Sequence, residues 1–120
     1  MLCQVKLVKG EFTVNEDWWT NMDPFVEIKQ GSKILLKTPV QDGAGKNVNF
    51  KNQTFTYKIG NLNESVSITA TDQDPIWDDL IGNTTVSAEK LCPLGTKTHK
   101  IGVKKDGEHR GYLTFTTTRQ

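Results

Sequence analysis

The chain has 120 residues, of which 35% are hydrophobic and 24% charged, and its formal net charge at pH 7 is +1. This is the length of one ordinary domain, so we expect residues 1–120 to form a single domain with its own core. A charge so close to zero argues against nucleic acid as a partner, and no apolar run approaches the roughly 18 residues of a membrane-spanning helix.

Apolar residues recur with a period of two along the chain, which is the pattern of half-buried β-strands. In chain order, the residues predicted to point inward are Cys3, Val5 and Leu7; Val26 and Ile28; Ile34 and Leu36; Phe55, Tyr57 and Ile59; Val66, Ile68 and Ala70; then shorter runs at 81–87 and 99–103; and finally Leu113 and Phe115. Glycine, Asn or Asp marks the breaks between these runs, where the chain must reverse. Only residues 87–91 favour a helical turn.

About eight short strands with polar outer faces predict an all-β protein. Each sheet must bury its apolar face against another sheet, so we expect an eight-stranded antiparallel β-sandwich.

The two cysteines, Cys3 and Cys92, form neither a CxxC pair nor a dense framework, which predicts free thiols in a reducing compartment. The first ten residues do not resemble a signal peptide, because polar residues interrupt their apolar run. Without secretion, the N-x-S/T matches at Asn52, Asn63 and Asn83 would stay unmodified. The sequence therefore predicts a cytoplasmic protein.

Half of the negative charge is concentrated in two segments. Seven of the fourteen Asp and Glu residues lie in "EDWWTNMD" (16–23) and "DQDPIWDD" (72–79). Both segments follow a predicted strand, so both loops can meet at one end of a sandwich. Carboxylates that converge there need a cation, and a flexible cluster of oxygen ligands suits calcium. The alternative is that both are solvated acidic loops that hold no metal.

An EF-hand does not fit the second acidic segment. Trp77 stands where the turn glycine belongs, and Asn83 replaces the bidentate Glu.

Several motifs together resemble the C2 domain, a calcium- and phospholipid-binding β-sandwich. Asp17 precedes "DPFV" at Asp23 by six residues, "NQTF" (52–55) is similar to the central N-E-x-F stretch of the family, and "DQD" followed by "DLIG" matches its third loop. The chain opens with the strand that leads into the first calcium loop, which resembles the type II topology of the family.

The resemblance implies a set of calcium ligands and a membrane contact. The implied ligands for two or three Ca²⁺ ions are the side chains of Asp17, Asp23, Asp72, Asp74 and Asp79, with Asp78 as the alternative for the last place and with backbone carbonyls at Trp18 and Gln73. The implied membrane contacts are Trp18, Trp19, Ile76 and Trp77, since indole rings favour the headgroup boundary. Packing of these tryptophans against the core is the alternative.

Lysines supply a second expected contact. Lys29, Lys33 and Lys37 occupy outward strand positions and resemble the lysine-rich surface with which some C2 domains bind lipid headgroups. A solvated edge that discourages aggregation is the alternative.

Catalysis has little support in the sequence. His99 and His109 belong to no nucleophile–base arrangement, and a zinc site would require both of them to meet the scattered cysteines. The predicted function is therefore non-enzymatic: calcium-dependent binding to anionic phospholipid membranes, which recruits a cytoplasmic protein when calcium rises. The alternative is a calcium-independent domain that binds a protein partner.

Overall fold

The computed structural model describes residues 1–14 and 21–120, which form eight β-strands and one short helix. In chain order, these elements are β1 (Leu2–Phe12), β2 (Pro24–Gln30), β3 (Lys33–Lys37), β4 (Asn47–Lys58), β5 (Ser65–Asp72), β6 (Asp79–Ser87), α1 (Ala88–Leu91), β7 (Gly95–Lys105) and β8 (Glu108–Arg119). Within the described residues, no helix is long and apolar enough to cross a bilayer.

The strands are antiparallel and follow the order β3-β2-β5-β6-β7-β8-β1-β4. In the described part of the chain, β6 and β7 share one registered pair, Asn83 with Lys104. The sheet therefore folds at this point into two halves, β3-β2-β5-β6 and β7-β8-β1-β4, which pack face to face as a sandwich. The prediction of an all-β, eight-stranded antiparallel sandwich is confirmed. Its assignment to the type II topology stays a prediction.

Apolar and polar residues alternate along the strands, and the apolar side chains point into the core, as the sequence predicts. Cys3, Val5 and Leu7 are fully buried, while Gln4 and Lys6 between them are exposed. Val66, Ile68 and Ala70 of β5 are likewise fully buried. Burial of each such aliphatic side chain stabilises the fold by about 1.5–3 kcal/mol.

The inward position predicted for Ile34 is wrong. Ile34 is 52% exposed, because the register of β2 with β3 shifts between Ile28 and Lys29. The shift sets Ile34 opposite Lys29 on the outer face, whereas Leu36 still packs against the core.

The prediction of two free thiols is also wrong. Cys3, at the start of β1, and Cys92, just after α1, form a disulfide that joins the two sheet halves. Both residues are fully buried. The cysteines lie 89 positions apart, so only the folded topology brings them together. Because the two cysteines are paired, they give no support to the prediction of a reducing compartment.

The direction of the strands determines which connections share an end of the sandwich. Because every strand pairing is antiparallel, the connections that follow β1, β3, β5 and β7 lie at one end, here called the loop end. The disulfide lies at the opposite end, since Cys3 begins β1. Asp23 and residues 72–79, which are the described parts of the two acidic segments, therefore belong to the loop end.

Candidate metal centre

Strand pairing brings three aspartates together at the loop end. Asp72 ends β5, and its registered partners are Pro24 at the start of β2 and Asp79 at the start of β6. Asp23 directly precedes Pro24. Because adjacent strands lie about 4.8 Å apart, the backbones of Asp23, Asp72 and Asp79 lie side by side on three neighbouring strands.

Asp72 is the anchor of this group. It is 1% exposed, and its Oδ1 accepts a hydrogen bond of 2.8 Å from the backbone N–H of Asp23. The backbone N–H of Gln73 donates to the carbonyl oxygen of Asp23 at 3.0 Å. The two segments that carry the aspartates are thus fixed to each other in both directions. A nearby cation would favour the ionised form of a buried carboxylate such as that of Asp72.

A third connection, residues 38–46 between β3 and β4, packs on the same group. The backbone N–H of Gly43 donates to Oδ1 of Asp23 at 2.6 Å, and that of Gly45 donates to the carbonyl of Met22 at 3.0 Å. Gly43 has a φ of +65°, a conformation that glycine adopts without strain. The sequence pattern predicted only a chain reversal here, although the glycines of "QDGAG" were a signal for such close approach.

Within the connection between β5 and β6, two carboxylates accept bonds from the loop's own backbone. Oδ1 of Asp74 accepts from the N–H of Ile76 at 3.4 Å, and Oδ1 of Asp78 accepts from the N–H of Asp74 at 3.3 Å. Asp78 is therefore engaged in closing its loop, whereas Asp79 lies in the strand opposite Asp72.

The complete predicted ligand set does not come together in the structure. Asp17, together with Trp18 and Trp19, lies outside the described residues. In residues 1–14 and 21–120, no three His, Cys, Asp or Glu side chains are close enough to hold one metal ion. The predicted ligands Asp23, Asp72, Asp74 and Asp79 lie at one end of the sandwich, but their carboxylates are not gathered around one point.

Two apolar side chains project from the tip of the β5–β6 connection. Ile76 is 80% exposed and Trp77 is 69% exposed, and four acidic residues lie within five positions of them. Packing of Trp77 against the core is thereby excluded. A large exposed apolar group beside carboxylates is costly in water, so it marks a candidate contact surface.

The three predicted headgroup lysines lie on β2 and β3 but differ in their contacts. Nζ of Lys29 forms an ion pair of 3.2 Å with Glu27. Nζ of Lys37 lies 5.5 Å from the ring centroid of Phe25, and Lys33 is exposed. The charge of Lys29 is offset by its neighbour, so Lys33 and Lys37 dominate the positive potential of this surface.

Comparison with known sequences gives two consistent results. A family model for the C2 domain matches residues 1–103. Elicitor-responsive protein 3 of Oryza sativa, from both subsp. japonica and subsp. indica, is 31% identical over 119 residues, which cover 94% of this chain and 81% of the rice protein.

Solved structures resemble the fold over nearly the whole chain. A C2 domain of plant Extended Synaptotagmin 1 has a TM-score of 0.81 at 20% identity, covering 98% of this chain and 92% of that one. Calcium-bound Extended-Synaptotagmin 2, a chain with two C2 domains, has a TM-score of 0.75 at 16% identity, covering 97% of this chain and 44% of that one. At such identities the likeness concerns the fold alone.

Proposed function

The chain belongs to the C2 domain family, and on that premise we propose that it binds anionic phospholipid membranes in response to calcium. The observation that carries the proposal is the placement of Asp23, Asp72 and Asp79 at the ends of three adjacent strands, at the same end of the sandwich as an exposed tryptophan. In this proposal residues 1–120 act as one non-catalytic domain.

The donor chemistry of the loop end fits calcium. Every candidate side chain offers carboxylate oxygen, and calcium takes 6–8 oxygen ligands in flexible geometry. We assign the ligands as Asp17, Asp23, Asp72, Asp74 and Asp79, with backbone carbonyls of Trp18 and Gln73, for two or three ions. The register of Asp79 opposite Asp72 favours Asp79 over Asp78 for the last place.

Charge governs whether the loop end can approach a membrane. Without metal, its carboxylates repel the anionic lipids of a cytoplasmic leaflet, whose surface potential is about −30 mV. Bound calcium supplies positive charge that neutralises these carboxylates and leaves coordination places for lipid oxygens. Ile76 and Trp77 then enter the interface, where the amphipathic indole ring is favoured. Trp18 and Trp19 are proposed to join them.

The lysines of β2 and β3 extend the proposed contact. Each basic residue near an anionic leaflet contributes about 1 kcal/mol, so Lys33 and Lys37 strengthen binding, and Lys29 adds less because Glu27 pairs with it. Because anionic lipid is concentrated in the cytoplasmic leaflet, we propose a cytoplasmic protein that becomes peripheral to the membrane.

A second candidate function is calcium-independent binding of a protein partner. It is favoured by the hydrogen bonds at the loop end, since backbone N–H groups of Gly43, Asp23 and Asp74 already donate to carboxylates. These bonds stabilise the acidic loops without any metal.

Co-sedimentation with liposomes tests the proposal against this alternative. We expect the protein to pellet with vesicles of phosphatidylserine and phosphatidylcholine in calcium and to stay in the supernatant in chelator. Phosphatidylcholine vesicles serve as the control for charge. A protein that stays in the supernatant both in calcium and in chelator would favour the second candidate, and equal pelleting in both would contradict the dependence on calcium.

A further inference from the structure

A groove opens on the outer face of the sheet half β7-β8-β1-β4, between β1 and β4. Its volume is about 550 Å³, within the range of sites for small molecules. The pairing of these strands passes from Leu7 with Gln53 directly to Lys9 with Asn49, so β4 contains two more residues than β1 in this interval. Lys51 and Asn52 absorb them by taking left-handed φ angles of +57° and +53°.

The two extra residues of β4, Lys51 and Asn52, form a β-bulge whose backbone conformation costs free energy. Left-handed conformations in residues other than glycine cost about 1 kcal/mol or more each, and bulges often shape binding surfaces. Oδ1 of Asn49 accepts a bond of 2.7 Å from the N–H of Lys51, which fixes the bulge and leaves the NH₂ of Asn49 as its donor group.

The lining combines neutral amides with one ion pair. Asn47, Asn49 and Asn52 supply carboxamides, and Lys9 and Glu11 supply charges, around an apolar part to which the half-buried Val8 contributes. A carboxamide both donates and accepts hydrogen bonds, a carboxylate only accepts them and an ammonium only donates. This mixture matches a ligand that carries several hydroxyl groups on a compact carbon ring.

Glu11 determines the charge that the groove accepts. Nζ of Lys100 lies 3.1 Å from Oε1 of Glu11, and Nζ of Lys9 lies 4.0 Å from the same oxygen. The hydrogen bond from Lys100 and its charge lower the pKa of the Glu11 carboxyl, so that it stays ionised at neutral pH. Within the lining, the charges of Lys9 and Glu11 cancel, so the groove itself gives little preference to an anionic ligand.

An aromatic ring stands beside the groove. Tyr112 is the registered partner of Glu11 on β8 and is 44% exposed. The centroid of the His109 ring lies 4.5 Å from that of Tyr112, and Nζ of Lys100 lies 5.9 Å from the Tyr112 centroid. Tyr112 is on β8 and does not line the groove itself, but its exposed ring offers a flat apolar surface near the groove.

From these features we propose that the groove between β1 and β4 binds a neutral saccharide or other cyclic polyol. Asn47, Asn49 and Glu11 contact its hydroxyl groups, and the side of its ring lies against the apolar lining near Tyr112. The site lies apart from the calcium ligands and requires no metal.

Titration of the ¹⁵N-labelled protein by NMR, in chelator, tests the proposal. The probes are glucose, mannose, galactose, N-acetylglucosamine and myo-inositol, with inositol hexakisphosphate as the anionic competitor. We expect at least one neutral probe to shift the amide signals of residues 9–11 and 47–52 with millimolar affinity. Asn47→Ala should weaken this binding about tenfold through the loss of one hydrogen bond to a hydroxyl. Glu11→Gln keeps an accepting oxygen but loses the charge, so it should weaken the binding less.

Asn63→Ala is the matched control, because it removes an amide from a turn outside the groove and should bind as the parent does. The spectra of the variants also report whether each is folded. The proposal is overturned if none of the neutral probes shifts these signals. It is equally overturned if the hexakisphosphate binds there more tightly and Glu11→Gln strengthens that binding.

Discussion

The carboxylate of Asp72 accepts a hydrogen bond of 2.8 Å from the backbone N–H of Asp23, a residue 49 positions earlier in the chain. This bond fixes the two acidic segments to each other before any ion is present. The pair of Asp23 and Asp72 therefore defines where a calcium site would form. The hydrogen bond between them involves no atom of residues 15–20.

The double substitution Asp72→Asn and Asp74→Asn tests the proposed ligands. An Asn side chain keeps the oxygen that accepts the backbone hydrogen bond, so we expect the fold to be retained. Each lost carboxylate should weaken calcium binding about tenfold or more, or ~1.4 kcal/mol. Calorimetry measures the affinity, and circular dichroism checks the fold.

Glu89→Gln is the control for this pair, since it removes an exposed carboxylate from α1 at the opposite end. A double variant that binds calcium as tightly as the parent would remove Asp72 and Asp74 from the ligand set.

Trp77→Ala should reduce calcium-dependent pelleting with anionic liposomes while leaving stability almost unchanged. The ring is 69% exposed, and substitutions at such surface positions usually change the free energy of unfolding by less than about 0.5 kcal/mol. Leu94→Ala removes an apolar side chain that is 65% exposed at the opposite end and should pellet as the parent does. Unchanged lipid binding by Trp77→Ala would exclude this ring from the membrane contact.

The three lysines of β2 and β3 should contribute unequally to lipid affinity. Lys33→Ala and Lys37→Ala should each lower the affinity for anionic vesicles roughly fivefold, from ~1 kcal/mol per charge. Lys29→Ala should lower it less, because that lysine is paired with Glu27 at 3.2 Å. Vesicle titration in low salt measures all three variants. Equal losses, or none, would contradict the assignment of this surface.

Reduction of the Cys3–Cys92 disulfide should lower stability without affecting calcium binding. In the chain-entropy account, a disulfide that closes a loop of this length stabilises the folded state by about 4.6 kcal/mol. The disulfide lies at the end away from the aspartates, so the calcium affinity of the reduced protein should match that of the oxidised one. Urea unfolding with and without reductant measures the difference, and a Cys3→Ser, Cys92→Ser variant should show no response to reductant.

Acid should destabilise the protein partly through His99. Burial lowers the pKa of its imidazole below the usual 6.5, which outweighs the opposing hydrogen bond to the backbone of Leu91. The folded state therefore favours the neutral ring. This contribution to stability is complete above the unfolded-state pKa and is lost as the pH falls through the folded-state pKa.

The variant His99→Gln keeps hydrogen-bonding groups but cannot take up a proton in this range. We expect its melting temperature to fall less steeply than that of the parent below about pH 6.5. Parallel curves for the two proteins would contradict the role of His99.

The strand pattern of the fold follows from local chemistry, which is why alternation alone predicted it. Leu7 or Ile68 points inward whatever its partners are, since every second residue faces the core. Ile34 departs from this because a shift in pairing on the edge strand β3 turned it outward. Pairing register depends on two strands at once, so one strand's sequence does not determine it.

The sequence pattern did not predict features that depend on residues far apart in the chain. The Cys3–Cys92 disulfide and the bond from Gly43 to Asp23 both require the finished topology. The bulge at Lys51 and Asn52 was not predicted either, because Lys rarely adopts a left-handed backbone and Asn, although it adopts one more readily, is a weaker signal than glycine. For the aspartates, the sequence predicted a shared end of the sandwich, and strand order explains how Asp23, Asp72 and Asp79 come to lie there.

Calorimetric titration of calcium into chelator-treated protein measures directly whether the loop end binds calcium. We expect saturable heat below millimolar calcium, with two or three ions bound, which disappears in the Asp72→Asn, Asp74→Asn variant. The absence of any heat at millimolar calcium would contradict calcium binding, and the acidic loops would then serve a function that requires no metal.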